Sequence, residues 1–218
     1  HDTTRRKNAY EEIILDFQQS NIDILVGTQM IAKGFDFDNV SLVGIIDADS
    51  ILNYPDFRSH ERAYQLLSQV SGRAGRKDKQ GKVILQTYNP DHEILDHVKK
   101  HSYDKYYDLQ ISERKTFNYP PFSKLLIVRF RHTNHNVLDK VTNRFSTFLR
   151  DSFNNRVFGP EYPVVSKIKN YFIKSIMLKI ELNKSYAEAK NIISLLLSHM
   201  KKNKLLEACV VQIDVDPN

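Results

Sequence analysis

The dipeptide Pro120-Pro121 constrains this chain more than any other feature. Two consecutive prolines remove two backbone donors and hold the chain extended, so no helix runs through Asn118-Tyr119-Pro120-Pro121-Phe122. A second break falls at Asn89-Pro90-Asp91. The chain therefore reads as three stretches: residues 1–90, a connecting helix and linker over 91–119, and a C-terminal part over 120–218.

In the first stretch, helix and strand signals alternate. Thr3 or Thr4 can cap a helix over 5–19, where Ala9, Ile13, Ile14 and Phe17 recur at helical spacing. Residues 22–27 and 41–47 are short and mostly apolar, 59–70 suits a helix capped by Ser59, and 82–87 is strand-like again. Nearly continuous apolar strands separated by helices predict a parallel sheet with helices on its faces, the α/β class. A charged helix is expected over 91–108; its His97 and His101 have a spacing open to metal binding, but no convincing third ligand accompanies them. A solvated helix face is the plainer reading.

Beyond the prolines the order is strand 124–131, helix 135–152, strand 162–168, strand 171–181, helix 185–202 and strand 208–215. This βαββαβ order predicts an α+β, ferredoxin-like domain. Asn134 is placed to start its first helix, and Asn183 or Ser185 to cap its second.

Charge is unevenly distributed. Residues 1–119 carry 16 basic and 18 acidic side chains, a net of −2, whereas 120–218 carry 16 and 8, a net of +8. That asymmetry fits a C-terminal part facing a polyanion, nucleic acid first, and fits a solvated basic face equally. No apolar run approaches the ~20 residues a bilayer span requires, so no membrane partner is expected. Cys209 is the single cysteine, which excludes an internal disulfide and a cysteine-cluster metal site. A reducing cytoplasm is the simplest setting for such a chain.

Four short runs carry chemistry. Gln69-Val70-Ser71-Gly72-Arg73-Ala74-Gly75-Arg76 sets two arginines three residues apart among small residues. An arginine stays charged and its planar fork matches phosphate oxygens, while glycine admits close backbone approach. Together they suit charge on a transferring phosphoryl group; in isolation they also suit a basic surface turn. Gly27-Thr28-Gln29 ends an apolar segment, the place where open α/β sheets bind ligands, and its donors suit a phosphate chain. Lys33-Gly34-Phe35-Asp36 follows with a cation, a joint and a carboxylate. In the C-terminal part, Lys167, Lys169, Tyr171 and Lys174 around Ile168, Asn170 and Phe172 mix cations with aromatics, as backbone contact with base stacking requires. A hairpin with a basic exposed face is the alternative.

Taken in order, Asp2-Thr3-Thr4-Arg5, Gly27-Thr28-Gln29-Met30-Ile31-Ala32-Lys33-Gly34-Phe35 and Gln69 to Arg76 resemble the second motor lobe of superfamily 2 helicases. Asp56-Phe57-Arg58-Ser59, Glu61-Arg62, Gln80-Gly81, Gln86-Thr87, Pro120-Pro121 and Asp214-Val215-Asp216-Pro217 narrow the resemblance to bacterial replication-restart DNA helicases. The resemblance covers essentially the whole chain, most densely over 2–90. It implies a partial RecA-like lobe followed by a domain that binds DNA and single-stranded-DNA-binding protein. Gln69, Gly72, Arg73 and Arg76 would reach ATP across the cleft between lobes, with the two arginines neutralising the γ-phosphate. Gly27, Thr28 and Gln29, with Lys33, would touch the DNA backbone, and Gly34 and Asp36 would couple the nucleotide and DNA sites.

No G-x-x-x-x-G-K-[ST] loop occurs in the 218 residues, and Asp47-Ala48-Asp49 has no glutamate to orient water. The resemblance places those elements, and a cluster binding two zinc ions, in segments before Asp2. The chain is accordingly expected to be a C-terminal fragment of an ATP- and magnesium-dependent helicase for primosome assembly at stalled forks, inactive as an ATPase on its own. Its partners would be forked and single-stranded DNA, single-stranded-DNA-binding protein and primosome components. A stand-alone DNA- and protein-binding module is the rival; a self-contained nucleotidase lacks a phosphate cradle.

Overall fold

A computed structural model describes residues 9–28, 40–71, 81–206 and 208–217. The chain divides into two compact units, His1–Leu109 and Gln110–Asn218.

The first unit contains helix α1 (Ala9–Gln18), strand β1 (Leu42–Ile45), a short helix α2 (Asp49–Leu52), helix α3 (Ser59–Ser71), strand β2 (Lys82–Leu85), helix α4 (Glu93–Lys99) and the start of helix α5 (Tyr103–Thr116). β1 and β2 pair in parallel, Leu42 opposite Lys82 through Ile45 opposite Leu85. Parallel neighbours require a crossover, and the segment holding α2 and α3 supplies it. Ala63, Tyr64 and Leu67 recur three and four residues apart on α3, so one stripe is apolar. That stripe joins Leu52, Ile94, Leu95, Val98 and Tyr106 in a buried core. Tyr64 and Tyr106 stack at 4.4 Å between ring centroids and 7° between planes.

Three expectations change here. Residues 22–27 form no strand, and Ile24 and Val26 are 77% and 82% exposed. Apolar composition makes a strand only where a ladder partner takes the backbone groups, and among the described residues β1 and β2 pair with each other alone. The single helix expected over 91–108 is two helices, broken at His101, whose φ is 50°. Ser59 is already inside α3 rather than capping it; the Asp56 carboxylate instead accepts from the Arg58 N–H at 2.9 Å.

The second unit contains β3 (Ser123–His132), α6 (His135–Phe153), a 3-10 turn (Asn154–Arg156), β4 (Val157–Glu161), β5 (Lys167–Ile168), β6 (Tyr171–Glu181), α7 (Tyr186–Lys202) and β7 (Val210–Val215). The sheet order is β4-β6-β3-β7, every pairing is antiparallel, and β5 adds to β6. Each long helix therefore joins two strands that have one strand between them. Asn134 starts α6 by accepting from the N–H groups of Asn136 and Val137, and Ser185 caps α7 by accepting from Glu188. Alternate residues Leu126, Val128, Phe130 of β3 and Ile176, Leu178, Ile180 of β6 meet Leu138, Val141, Phe145 and Leu149 of α6 in the core.

The strand expected over 162–168 resolves into β4 and the two-residue β5 on either side of Tyr162–Ser166. Gly159 and Pro160 mask the strand signal of β4, which lies at the sheet edge, where proline is tolerated. Gly159 has φ +89°, and a Cβ there would lie 2.8 Å from the Ser175 carbonyl oxygen. Gly159→Ala is expected to cost about 1–3 kcal/mol, read from denaturant unfolding; a loss below a few tenths would sink this account.

The expected boundary at the paired prolines lies within the second unit, whose first residue falls inside α5. Hydrogen bonds account for this. The Lys179 Nζ donates to the Phe117 carbonyl at 2.8 Å and lies 3.4 Å from the centroid of the Tyr119 ring. Ser123 Oγ donates to the Asn118 carbonyl at 2.7 Å. The end of α5 and the turn after it are thus fastened to β3 and β6. Burial pulls the Lys179 ammonium below the ordinary lysine value.

Candidate nucleic-acid interface

Gln69 is exposed in the last turns of α3. Gly72, Arg73 and Arg76 lie outside the described residues, as do Gln29, Lys33, Gly34 and Asp36. Gly27 and Thr28 are exposed in irregular chain. The structure thus places Gln69, Gly27 and Thr28 at the surface.

What it does define is how the carboxyl ends of β1 and β2 are held. Asp49 accepts from Thr87 Oγ1 and from the Tyr88 N–H, each at 2.9 Å, and the Ala48 N–H donates to the Gln86 carbonyl. Asp47, at φ 60°, accepts from the Ser50 N–H. Asp47-Ala48-Asp49 is therefore a strand-end clamp. Asp49→Ala, which orphans two donors, is expected to lower stability by about 1–2 kcal/mol; thermal unfolding against Asp49→Asn checks it. The Asp56 motif is also structural here, with Arg62 Nη1 3.1 Å from the Asp56 carboxylate and the Arg58 guanidinium 4.7 Å from the Phe57 ring centroid.

The C-terminal hairpin is described in full. β5 and β6 pair through Lys167 opposite Phe172 and Ile168 opposite Tyr171, so Lys169 and Asn170 form a two-residue turn. Lys169 occupies it at φ 52°. Lys167 and Lys169 are exposed, and Tyr171 and Ile168 are 43% and 50% exposed. The Lys167 Nζ lies 4.7 Å from the centroid of the Phe172 ring. Cations and an aromatic face thus share one projecting tip.

Lys174 departs from the sequence expectation. It is 8% exposed, and its Nζ sits 2.6 Å from Asp139 Oδ1 on α6. Successive strand residues alternate faces, and Lys174 falls on the core side of β6 with Ile176 and Leu178. An ammonium there requires a partner, which Asp139 provides. The Tyr162 hydroxyl donates to the same carboxylate oxygen at 3.0 Å, and the Lys174 Nζ lies 4.6 Å from the Tyr162 ring centroid. His135 Nε2 is 3.4 Å from Asp139 Oδ2, and its ring stacks on Tyr162 with 10° between planes. The hydrogen-bonded Lys174 ammonium, and then Tyr162, hold the Asp139 carboxyl below its ordinary value against the effect of burial. Burial first, then Asp139, pushes the Tyr162 phenol up. Asp139 and His135 stand one turn apart on α6, but Tyr162 and Lys174 come from other segments, so the group as a whole escaped the sequence reading.

Some basic side chains of the C-terminal part are paired with acids in place. Arg129 pairs with Asp214 across β3 and β7, and Arg156 Nε is 2.9 Å from Glu181 Oε1. His97 Nδ1 lies 2.9 Å from Ser102 Oγ, and no group of three His, Cys, Asp or Glu side chains suited to a metal ion occurs among the described residues. These residues do not fit a zinc site. No helix among the described residues is long and apolar enough to cross a membrane.

Residues 1–78 match the family model for the helicase conserved C-terminal domain, and residues 115–218 match that for the primosomal protein N C-terminal domain. These matches define the class: the chain is a helicase family member of mixed helix and sheet. Curated relatives named replication restart protein PriA align along nearly all of it. The Bacillus subtilis protein is 37% identical over 99% of this chain and 27% of its own length. The Synechocystis protein is 39% identical over 82% and 22%, and the Borreliella burgdorferi protein 35% identical over 99% and 32%. The chain belongs to the PriA family. It spans about a quarter to a third of the length of these relatives. Among solved structures, the de novo designed protein Foldit4 aligns with 44% of the chain at 12% identity and a TM-score of 0.34, too weak a likeness to bear on the fold.

Proposed function

We propose that this chain is the C-terminal portion of an ATP-dependent DNA helicase that restarts stalled replication forks. It contributes the arginine side of the nucleotide cleft and a DNA-contacting domain. The observation that carries this reading is the pair of non-overlapping family matches, helicase over 1–78 and primosomal protein N over 115–218. In it, residues 1–90 are part of a RecA-like lobe with the β1–β2 pair in its parallel sheet, 91–119 connect, and 120–218 are a ferredoxin-like βαββαβ domain. The strand order β4-β6-β3-β7 supports the last assignment.

Bound ATP with magnesium supplies the phosphoryl chemistry. Arg73 and Arg76 hold fixed positive charge toward the γ-phosphate, stabilising the transition state more than bound nucleotide. Gln69, Gly72, Gly34 and Asp36 line or couple that site, and Gly27, Thr28, Gln29 and Lys33 hold the DNA backbone. Lys167, Lys169 and Tyr171 give the C-terminal domain its own single-strand contact, alongside single-stranded-DNA-binding protein and other primosome components, in the cytoplasm.

Two measurements test the reading. The 218-residue chain alone is expected to show no ATP turnover, since it contains no phosphate-binding loop; turnover that Arg76→Ala abolishes would overturn this. The chain should also bind a fluorescein-labelled oligothymidylate with salt-sensitive affinity. The log–log salt slope should fall by about 0.7 for each of Lys167→Ala and Lys169→Ala. A slope that neither variant moves would remove the hairpin from the interface.

A further inference from the structure

We propose that Asp139, Lys174, Tyr162 and His135 form a clamp that positions the Lys167–Tyr171 hairpin for single-stranded nucleic acid, so that Lys174 acts through the hairpin rather than by touching phosphate. The inference rests on the hairpin reading above and goes beyond it by assigning positioning residues.

The hairpin is short. β5 has two residues, and the segment from Tyr162 to Ser166 that leads into it is irregular. Such a segment holds one geometry only if something other than a ladder fixes its entry. Tyr162 is the first residue after β4, and its hydroxyl is bonded to Asp139. Lys174, on β6 three residues beyond Tyr171, bonds the same oxygen from the other side of the hairpin. One carboxylate on α6 thus receives donors from both legs of the hairpin. The Tyr162 ring also meets both the Lys174 ammonium and the His135 imidazole.

The same residues reach the tip. His135 meets the Phe172 ring edge-on at 6.0 Å, and Lys167 lies over that ring. A continuous chain of contacts therefore runs from Asp139 through His135 and Phe172 to Lys167, one of the exposed cations. Fixing a cation and an aromatic in the geometry the ligand requires lowers the ordering cost at binding. Asp139 is close to the hairpin, and as an anion it repels a polyanion. Its presence there is explained by the clamp.

The charge sign gives the test its force. Asp139→Asn makes the chain more positive, so electrostatics alone predicts tighter binding of an oligothymidylate. The clamp predicts weaker binding, by about fivefold, as mobility returns to the hairpin. Tyr162→Phe leaves formal charge unchanged, keeps the ring and removes only the hydroxyl; a twofold to threefold loss with an unchanged salt slope is expected. Lys174→Arg, which can still bond Asp139, should stay within about twofold of the parent. Each variant is read by fluorescence anisotropy on the full 218-residue chain, with circular dichroism confirming that it is folded at the assay temperature. Tighter binding by Asp139→Asn, or unchanged binding by Tyr162→Phe, overturns the proposal. So does a salt slope lowered by about 0.7 in folded Lys174→Met, since that marks a direct phosphate contact. Lys167→Ala and Lys169→Ala run in parallel: if they alone leave binding intact, the hairpin reading fails, whereas if they weaken binding and the clamp variants do not, only this inference fails.

Discussion

Under the function proposed above, Arg76→Ala in a helicase that carries this chain is expected to lower DNA-stimulated ATP turnover by on the order of a thousandfold. The physical reason is differential binding. Negative charge builds on the leaving β–γ bridging oxygen as its bond to the γ-phosphorus lengthens, so a fixed guanidinium beside it gains more energy with the transition state than with bound ATP. The loss should therefore appear in kcat, with KM for ATP changing by no more than a few-fold. Arg76→Lys should recover little, because an ammonium is a point charge without the planar fork. Arg73→Ala is expected to behave likewise. Steady-state kinetics at saturating oligothymidylate, with nucleotide affinity measured separately, makes the distinction. A raised KM with unchanged kcat would mean that Arg76 holds ground-state nucleotide, and would remove it from the catalytic role proposed here.

The second large effect is on stability. Phe145→Ala should destabilise the C-terminal unit by about 3–5 kcal/mol. Phe145 is fully buried on α6, and its ring meets that of Phe130 at 5.1 Å with 60° between planes. Removing the ring deletes the apolar burial and that edge-to-face contact. It also opens a cavity between helix and sheet that the surrounding Leu138, Leu149 and Ile176 cannot collapse to fill without leaving their rotamers. Urea unfolding followed by circular dichroism reads the difference as a shifted midpoint with an unchanged slope. Leu195→Ala on α7 is the matched control: Leu195 is 70% exposed, and its loss should fall within about 0.5 kcal/mol. A Phe145→Ala cost below about 1 kcal/mol would refute the account of the core.

The C-terminal unit was legible in the sequence wherever periodicity and capping agreed. β6 over Tyr171–Glu181 and α6 from His135 lie where the sequence reading set them, since an alternating strand and an Asn-capped amphipathic helix each announce themselves locally. β4 did not, because Gly159 and Pro160 weaken its local signal and the strand exists through its pairing with β6. Residues 22–27 failed in the opposite direction: Ile24 and Val26 look like strand, but composition cannot supply a ladder. Of the nucleotide-site residues, Gln69 alone is among the described residues, so its motif stands on chemistry and family membership.

The sequence by itself determined the family and which residue types could meet phosphate, because those depend on identity and spacing along the chain. It could not determine what each charge faces. Lys174 and Lys167 are both cations of one basic-aromatic segment, yet strand alternation turns the first onto Asp139 and leaves the second exposed. Arg129 is one of the 16 basic side chains of residues 120–218, yet it is paired with Asp214. Asp49, which the sequence sets apart from a catalytic motif for want of a glutamate beside it, accepts from the end of the neighbouring strand. Those assignments came only with the tertiary structure, since pairing across strands and helices depends on distance in space, and no local pattern records it.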